Sequence, residues 1–238
     1  MKPRKATRRE ALTLLGSASV AATFGCGGTS GTDTGTAPSS GSPASGGPAS
    51  TSCVVSPTET VGPYPSLTDM VRSDIRQGSA GLPLTLAITV VNVNNACSPV
   101  PNAMVDLWQC DSQGRYSQYS QPGFDGRNET FLRGIQTTGA DGRVTFLTVY
   151  PGWYAGRATH IHVEVSLAGR SIKVTQIAFP ENVTAAVYSS GVYAAKGQSP
   201  TSNARDSVFA DGVASEMATV SGDTTSGYVG TFQVGVAL

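Results

Sequence analysis

The chain has 238 residues, and its 16 basic and 16 acidic side chains give a formal net charge of zero. This balance argues against binding to nucleic acid, which requires a concentrated basic face. Only 13% of the residues are charged, whereas the chain contains 28 glycines and 14 prolines, a composition that favours strands and loops over helices.

Residues 1–25 have the pattern of an export signal. A basic start that includes Arg8 and Arg9 precedes an apolar run over residues 11–24, which is short for a permanent membrane span. The arginine pair resembles a twin-arginine signal. Gly25 before Cys26 resembles a bacterial lipoprotein processing site. We expect an exported protein of the cell envelope or the extracellular space, held at a membrane only through a lipid on Cys26; the alternative is a plain secreted protein.

Residues 26–52 predict a flexible tether. They are almost entirely Gly, Ser, Thr, Pro and Ala, with Asp33 as the one charged side chain. Such a segment cannot bury enough apolar surface to offset the entropy of ordering. As a random coil it would reach about 28 Å.

Three further cysteines follow the tether, at Cys53, Cys97 and Cys110. Export implies an oxidising compartment, so we expect one disulfide and one remaining thiol. The sequence does not choose the pair. No two of the three have the close spacing of a cysteine metal site.

Residues 53–238 read as a single all-β domain without a second linker. Short runs of β-branched and alternating apolar residues, separated by Gly, Pro and Asn turns, are typical of an antiparallel β-sandwich. The predicted strands are Leu84–Val93, Ala103–Gln109, Val144–Val149, His160–Val165, Ile172–Phe179 and Tyr228–Val236. One short helix is compatible with residues 206–217.

Both histidines of the chain lie in one predicted strand, as His160 and His162. Residues two apart in a strand point to the same face, so the two imidazoles lie together while Ile161 and Val163 face the core. Such a pair suits a metal ion; the alternative is two half-exposed histidines on a sheet surface. Further ligands would have to come from other parts of the chain.

Two tyrosines offer the missing ligands. Tyr154 follows the turn Pro151–Gly152, and Tyr116 follows Asp111–Arg115, another turn after a predicted strand. Buried tyrosines usually serve packing, yet both of these are at loop positions, where functional residues concentrate. A hard trivalent ion such as Fe(III) would bind a phenolate by depressing the phenol pKa.

Six motifs in chain order make the sequence recognisable, and it resembles the intradiol ring-cleavage dioxygenases, which include catechol and protocatechuate 3,4-dioxygenases. The similarity runs from about Cys53 to Pro180 and is less clear beyond. The motifs are Thr58–Tyr64, Val105–Tyr116, Phe131–Gly134, Pro151–Tyr154, Arg157–His162 and Thr175–Pro180.

The resemblance implies a non-haem Fe(III) cofactor and a small aromatic diol and O2 as substrates. The ring would be cut between its two hydroxylated carbons to give a muconate-type diacid, on a β-sandwich with long active-site loops. It implies Tyr116, Tyr154, His160 and His162 as metal ligands, with Tyr154 released when substrate binds to take a proton from the diol. Arg157 and Gln176 are implied as catalytic residues beside the ring. For substrate binding it implies Gly62, Pro63 and Tyr64, and we add Arg133 from its charge.

The chain also departs from the family's cytosolic members. No helical dimerisation segment precedes Cys53, and one chain carries both the Gly62–Tyr64 loop and the iron ligands. The protein could therefore act alone or as a homo-oligomer. Two other functions stay open: a tethered β-sandwich binding module without catalysis, and a zinc or copper protein built on His160 and His162.

Overall fold

The computed structural model describes residues 53–238. The predicted export signal, Cys26 and the tether lie outside the described residues. Within 53–238, no helix is long and apolar enough to cross a membrane.

The described part is built almost entirely from strands. All six predicted strands are present, with ends shifted by no more than a few residues, and five short strands add to them. The strands are β1 (Pro83–Asn92), β2 (Ser98–Pro99), β3 (Met104–Trp108), β4 (Ser120–Gln121), β5 (Phe124–Asp125), β6 (Arg133–Thr137), β7 (Arg143–Val149), β8 (His160–Leu167), β9 (Arg170–Ala178), β10 (Thr219–Asp223) and β11 (Gly227–Val236).

Two sheets form the domain. In the first, β10, β11 and β1 lie side by side, and the other edge of β1 pairs with β7 and then with β2. The second has the order β6-β3-β8-β9 and is antiparallel throughout. Strands β4 and β5 form a separate hairpin. The all-β sandwich expected from the sequence is confirmed.

One strand pair departs from the antiparallel pattern, because β1 and β11 run parallel along their whole length. Neighbours joined by a short turn must be antiparallel, whereas a parallel pair needs a long connection. The first and last long strands of the domain meet this condition, since all the other strands lie between them in the chain.

The hydrophobic core lies between the two sheets. Alternate residues of β1, such as Leu86 and Ile88, are fully buried, and Phe146 of β7 joins them. From the second sheet, Ile161 and Val163 of β8 point into the same core with no exposed surface. The predicted core face of β8 is therefore confirmed, and the histidines occupy its other face.

An extended segment over residues 54–82 crosses the edges of both sheets. The Ser56 amide donates to Gly235 O of β11 (3.0 Å), and the Glu59 amide donates to Val174 O of β9 (2.9 Å). Its start is fixed by a disulfide between Cys53 and Cys97, with a Cα–Cα distance of 5.8 Å. This pairing answers the question that the sequence left open, and the remaining thiol, Cys110, is buried.

The helix considered for residues 206–217 is absent, and that segment forms a series of turns. Asp206 bonds the Val208 amide with its side chain (2.9 Å), and Gly212 has a φ of +110°, both of which oppose a helix. The one α-helix of the described residues is α1 (Glu181–Tyr188). Pro180 at its start and an acidic residue in its first turn are ordinary helix-start signals.

Candidate metal centre and active site

Strand β8 brings the two histidines into contact on the face turned away from the sandwich core. His160 and His162 are 2% and 1% exposed, because loops and the 54–82 segment cover that face. His160 Nδ1 lies 2.7 Å from Ala158 O and so carries the proton that it donates to that carbonyl. Its Nε2 is left with a lone pair, 3.2 Å from Nε2 of His162.

Tyr116 and Tyr154 lie on two loops, and the backbones of these loops pack against each other at Gly114 and Gly152. A Cβ on Gly114 would collide with the carbonyl of Trp153, and one on Gly152 would collide with the carbonyl of Asp111. Lys196 joins the loops by donating to the carbonyls of Gln113 and Trp153. Gly114 and Gly152 therefore allow the loops that carry Tyr116 and Tyr154 to approach each other closely.

The four predicted ligands converge. Tyr154 Oη lies 3.3 Å from His160 Nε2, and the ring centroid of Tyr116 lies 5.8 Å from that of Tyr154 and 6.3 Å from that of His162. Tyr116 is fully buried, and its hydroxyl has no hydrogen-bond partner within the described part of the chain. A buried hydroxyl without a partner costs free energy, so it indicates a missing ligand.

Burial controls the charge of these groups. Desolvation, and then the charge of Arg157, lowers the pKa of His160 to about 3. Desolvation, and then His160, lowers the pKa of His162 well below its ordinary value. Desolvation also raises the pKa of Tyr116 and of Tyr154. Both imidazoles are thus neutral, which is their metal-binding form, while the phenols would lose their protons only to a strong Lewis acid.

The donor set fits a hard, high-charge metal ion. It comprises two imidazole nitrogens and two phenol oxygens, and among residues 53–238 no third His, Cys, Asp or Glu joins His160 and His162 in a group that could hold a metal. Phenolate is a hard ligand suited to Fe(III). The zinc or copper interpretation gains no support, since it would leave the two tyrosines unexplained.

Arg157 lies beside the histidines and is held in place by its neighbours. Its Nη1 is 3.4 Å from His160 Nε2, and its Nη2 donates to Gln176 Oε1 at 2.5 Å. Its Nε lies 3.0 and 2.9 Å from the two carboxylate oxygens of Asp206. Asp206 is 2% exposed and also accepts the Ala158 amide at 2.7 Å. The guanidinium is thereby fixed with one nitrogen directed at the metal ligands.

Gln176 lies at the site, but both ends of its side-chain amide are engaged in hydrogen bonds with neighbouring residues. It is fully buried, accepts from Arg157 and donates to Thr60 O at 3.0 Å. Its amide therefore links Arg157 to the segment that carries Gly62. This geometry favours a positioning role for Gln176 over the direct catalytic role that we predicted.

The Gly62–Tyr64 loop closes the outer side of the site. Gly62 has a φ of +69°, and a Cβ on it would lie 2.9 Å from Cε1 of His162, so only glycine fits without displacement. Pro63 is exposed beside it. The ring of Tyr64 stacks on Tyr116 with a centroid distance of 4.8 Å. Gly62 and Tyr64 thus lie next to the ligands, and Pro63 joins them in the chain.

Arg133 is not placed to contact a substrate, contrary to our prediction. It is fully buried, and its three nitrogens donate to Ser117 Oγ (2.9 Å), Tyr64 O (2.9 Å) and Ser117 O (2.6 Å). Its guanidinium also lies 5.8 Å from the Tyr116 ring centroid. Arg133 therefore stabilises the segments that carry Tyr64 and Tyr116, through its hydrogen bonds to Tyr64 O and Ser117 and its contact with the Tyr116 ring.

The sequence did not reveal three supporting residues. Asp206 fixes Arg157, Lys196 joins the tyrosine loops, and Trp108 stacks on His162 with a centroid distance of 5.0 Å and an interplanar angle of 3°. Asp206 and Lys196 lie beyond Pro180, where the six sequence motifs end. Trp108 lies within the Val105–Tyr116 motif, and it is the residue of β3 that pairs with His162 of β8.

The sequence is similar to those of known dioxygenases. The Dioxygenase family model (Dioxygenase_C) matches residues 60–198, which is more than half of the chain. The β chain of protocatechuate 3,4-dioxygenase from Burkholderia cepacia is 34% identical over 139 residues, covering 51% of this chain and 54% of that one. Catechol 1,2-dioxygenase 1 from Acinetobacter lwoffii is 30% identical over 111 residues, covering 39% of this chain and 34% of that one. The chain thus spans about half, or less, of these curated relatives.

Solved structures match over a larger share. An intradiol ring-cleavage dioxygenase from Tetranychus urticae superposes with a TM-score of 0.71 at 28% identity, covering 78% of this chain and 95% of that one. The dioxygenase domain of a carbohydrate-binding fusion protein from Streptomyces sp. SirexAA-E gives a TM-score of 0.59 at 28% identity, covering 78% and 99%. The chain belongs to the intradiol ring-cleavage dioxygenase family.

Proposed function

We propose that this chain is a non-haem Fe(III) dioxygenase that cleaves a catechol-type ring between its two hydroxylated carbons. Both oxygen atoms of O2 would enter the product, one in each carboxylate of a muconate-type diacid. The observation that carries the proposal is the convergence of two neutral imidazoles with a buried phenol, Tyr116, and a partly buried one, Tyr154; the Tyr116 hydroxyl has no hydrogen-bond partner among residues 53–238.

The metal suggested by the site is also the metal of the family, which depends on non-haem Fe(III). Tyr116, Tyr154, His160 and His162 would hold it. When bound, such an ion would act as a Lewis acid on the diol and make the ring reactive towards O2.

The two tyrosines differ in a way that suits separate roles. Tyr116 is fully buried and stacked under Tyr64, whereas Tyr154 keeps some exposed surface. Tyr154 is therefore the ligand that can give way to an incoming diol. Its Oη, held 3.3 Å from His160 Nε2, can then accept a proton from one of the diol hydroxyls.

Arg157 places a fixed positive charge where the ring gains negative charge. Because Asp206 holds Nε and Gln176 holds Nη2, the guanidinium need not reorganise as the reaction proceeds, which is how electrostatic stabilisation acts most effectively. Tyr64 and the close approach of Gly62 then define the side on which the ring can lie.

The charge environment favours a ring without a carboxylate. Of the two arginines that we had considered for the pocket, Arg133 uses all three nitrogens within the protein, and Arg157 is paired with Asp206. Arg133 is thus not free to receive a substrate carboxylate, and Asp206 already balances the charge of Arg157. We therefore infer catechol or hydroxyquinol as substrate in preference to protocatechuate.

Oxygen consumption by the iron-loaded full-length chain tests this function. We expect one O2 consumed per catechol, and a diacid that carries both atoms of labelled O2. Tyr116→Phe should abolish the reaction, whereas Tyr119→Phe, a neighbouring tyrosine that bonds Pro65 O, should retain it. An iron-loaded protein that consumes no O2 with catechol, hydroxyquinol or protocatechuate would contradict the proposal and favour the binding module.

We also propose that the protein is exported, with a lipid on Cys26. The support is the arginine pair, the apolar run and the Gly25–Cys26 junction of the sequence. Cell fractionation of the chain and of Cys26→Ser tests this: the variant should leave the membrane fraction while the unaltered chain stays there. Equal distribution of both would contradict the lipid anchor.

A further inference from the structure

A second group of oxygen donors lies apart from the four metal ligands. The side chains of Glu59, Asp211 and Glu216 each offer a carboxylate atom, and these atoms all lie within 4.8 Å of one another. Glu59 belongs to the extended segment that leads into Gly62. The other two belong to the turns that follow Asp206.

One buried oxygen of Glu216 lacks a hydrogen-bond partner among residues 53–238, and this indicates independently that a ligand belongs to the group. It is fully buried, with one oxygen, Oε1, accepting from Thr175 Oγ1 at 3.3 Å. The other oxygen, Oε2, is buried and has no hydrogen-bond partner among residues 53–238. A carboxylate oxygen in this state needs either a proton or a cation.

The charges around the group show that three free carboxylates are unfavourable there. Desolvation, and then the charge of Glu59, raises the pKa of Glu216 to about 7. Desolvation, and then the charge of Asp211, raises the pKa of Glu59. The basic side chain that acts on Glu59, Arg157, is already paired with Asp206. A bound cation would remove the mutual repulsion of the three carboxylates.

We propose that Glu59, Asp211 and Glu216 form a binding site for a divalent cation of the size of calcium. All three donors are carboxylate oxygens, which hard cations prefer. Calcium accepts several carboxylates in a flexible geometry, whereas magnesium demands a near-ideal octahedron and is usually held by only one or two carboxylates. Three protein carboxylates within reach of one another therefore suit calcium.

Such an ion would join two segments that position the dioxygenase site. The Glu59 segment already bonds β9 through its amide (2.9 Å), and the Glu216 carbonyl accepts the Ala178 amide (2.8 Å). Calcium would add a direct link between them. One segment supplies Gly62 and Tyr64, and the other supplies Asp206, so the ion would stiffen both sides of the site.

Thermal unfolding of the full chain in chelator-treated buffer and in calcium chloride tests the proposal without reference to catalysis. At about 100 times the dissociation constant, we expect calcium to raise the melting temperature by about 5–10 °C. Titration calorimetry with calcium alone should show one bound ion per chain. Magnesium at the same concentration should have a clearly smaller effect.

Two variants and one control sharpen the test. Glu216→Gln should lose the calcium response, yet without calcium it should be at least as stable as the unaltered chain, because it removes a repelled charge. Asp211→Asn, at an exposed position, should fold normally and weaken calcium binding at least about tenfold. Glu129→Gln, exposed and outside the group, should respond as the unaltered chain does. An unchanged melting temperature with calcium, or an equal rise in Glu216→Gln, would overturn the proposal, and the first result would assign a proton to Glu216 instead.

Discussion

Asp206→Ala should destabilise the protein and reduce its activity, because it removes the carboxylate that fixes Arg157. Asp206 is 2% exposed, and the side chain of Arg157 is 11% exposed. Removing one partner of a buried ion pair costs about 3–5 kcal/mol, since the remaining charge is left uncompensated. For a domain of this size, that corresponds to a fall in melting temperature of about 6–20 °C.

The catalytic loss should exceed what unfolding explains. Below the melting temperature of the variant, Arg157 would lose its Asp206 anchor and keep its contact with Gln176, its approach to His160 and its position over the Phe209 ring. A displacement of about 1 Å can cost on the order of 100-fold in rate, so we expect kcat for catechol to fall by about that factor. Asp206→Asn keeps the shape and one acceptor oxygen and should lie between the variant and the unaltered chain.

The matched control is Asp74→Ala. Asp74 also forms a two-point contact with an arginine, Arg76, but both side chains are more than 40% exposed. Although Arg76 lowers the pKa of Asp74 to about 2, solvent screens an exposed pair and leaves it little net stabilisation. We expect a much smaller shift in melting temperature than for Asp206→Ala. Equal shifts for the two variants, or full activity in Asp206→Ala, would refute the reasoning.

Three further predictions follow from local geometry. Gly62→Ala and Gly78→Ala both place a Cβ at positive φ, but only the first meets an imidazole, at 2.9 Å; iron content should fall in the first variant alone, and equal losses would contradict the contact. Reducing the Cys53–Cys97 disulfide, which spans 44 residues, should lower the free energy of unfolding by about 4 kcal/mol; an unchanged denaturation midpoint with reductant would contradict this. Burial raises the pKa of Asp106 to about 7, so its protonated form stabilises the fold below pH 4 and this stabilisation is lost as the pH rises through 7. Asp106→Asn should therefore gain stability relative to the unaltered chain as the pH rises from about 4 to about 7 and keep that gain above pH 7, and parallel profiles in the two proteins would count against it.

Much of the fold could be predicted from local sequence patterns. Alternation over β1 and β8 identified the strands and showed that Ile161 and Val163 face the core. Which strands pair could not be read in the same way, because pairing depends on contacts between distant residues. The parallel pairing of β1 with β11 and the choice of Cys97 as the partner of Cys53 are both of this kind.

The candidate site was predictable in part for a similar reason. The histidines share a face because strand residues alternate, whereas the tyrosines could be assigned only through the similarity to the family. Asp206 lies 49 residues after Arg157 and has no local motif, so nothing linked it to the site. The role predicted for Arg133 was wrong because charge alone does not tell whether a side chain faces a pocket or is enclosed by its own loops.

The visible absorption spectrum of the iron-loaded full-length chain, together with its iron content, tests the central claim most directly. The claim is that Tyr116 and Tyr154 hold a ferric ion with His160 and His162. We expect one iron per chain and a strong visible band from phenolate-to-iron charge transfer, weakened in Tyr116→Phe and retained in Tyr119→Phe. A colourless protein at full iron content, or the same band in Tyr116→Phe, would contradict the assignment of the metal centre.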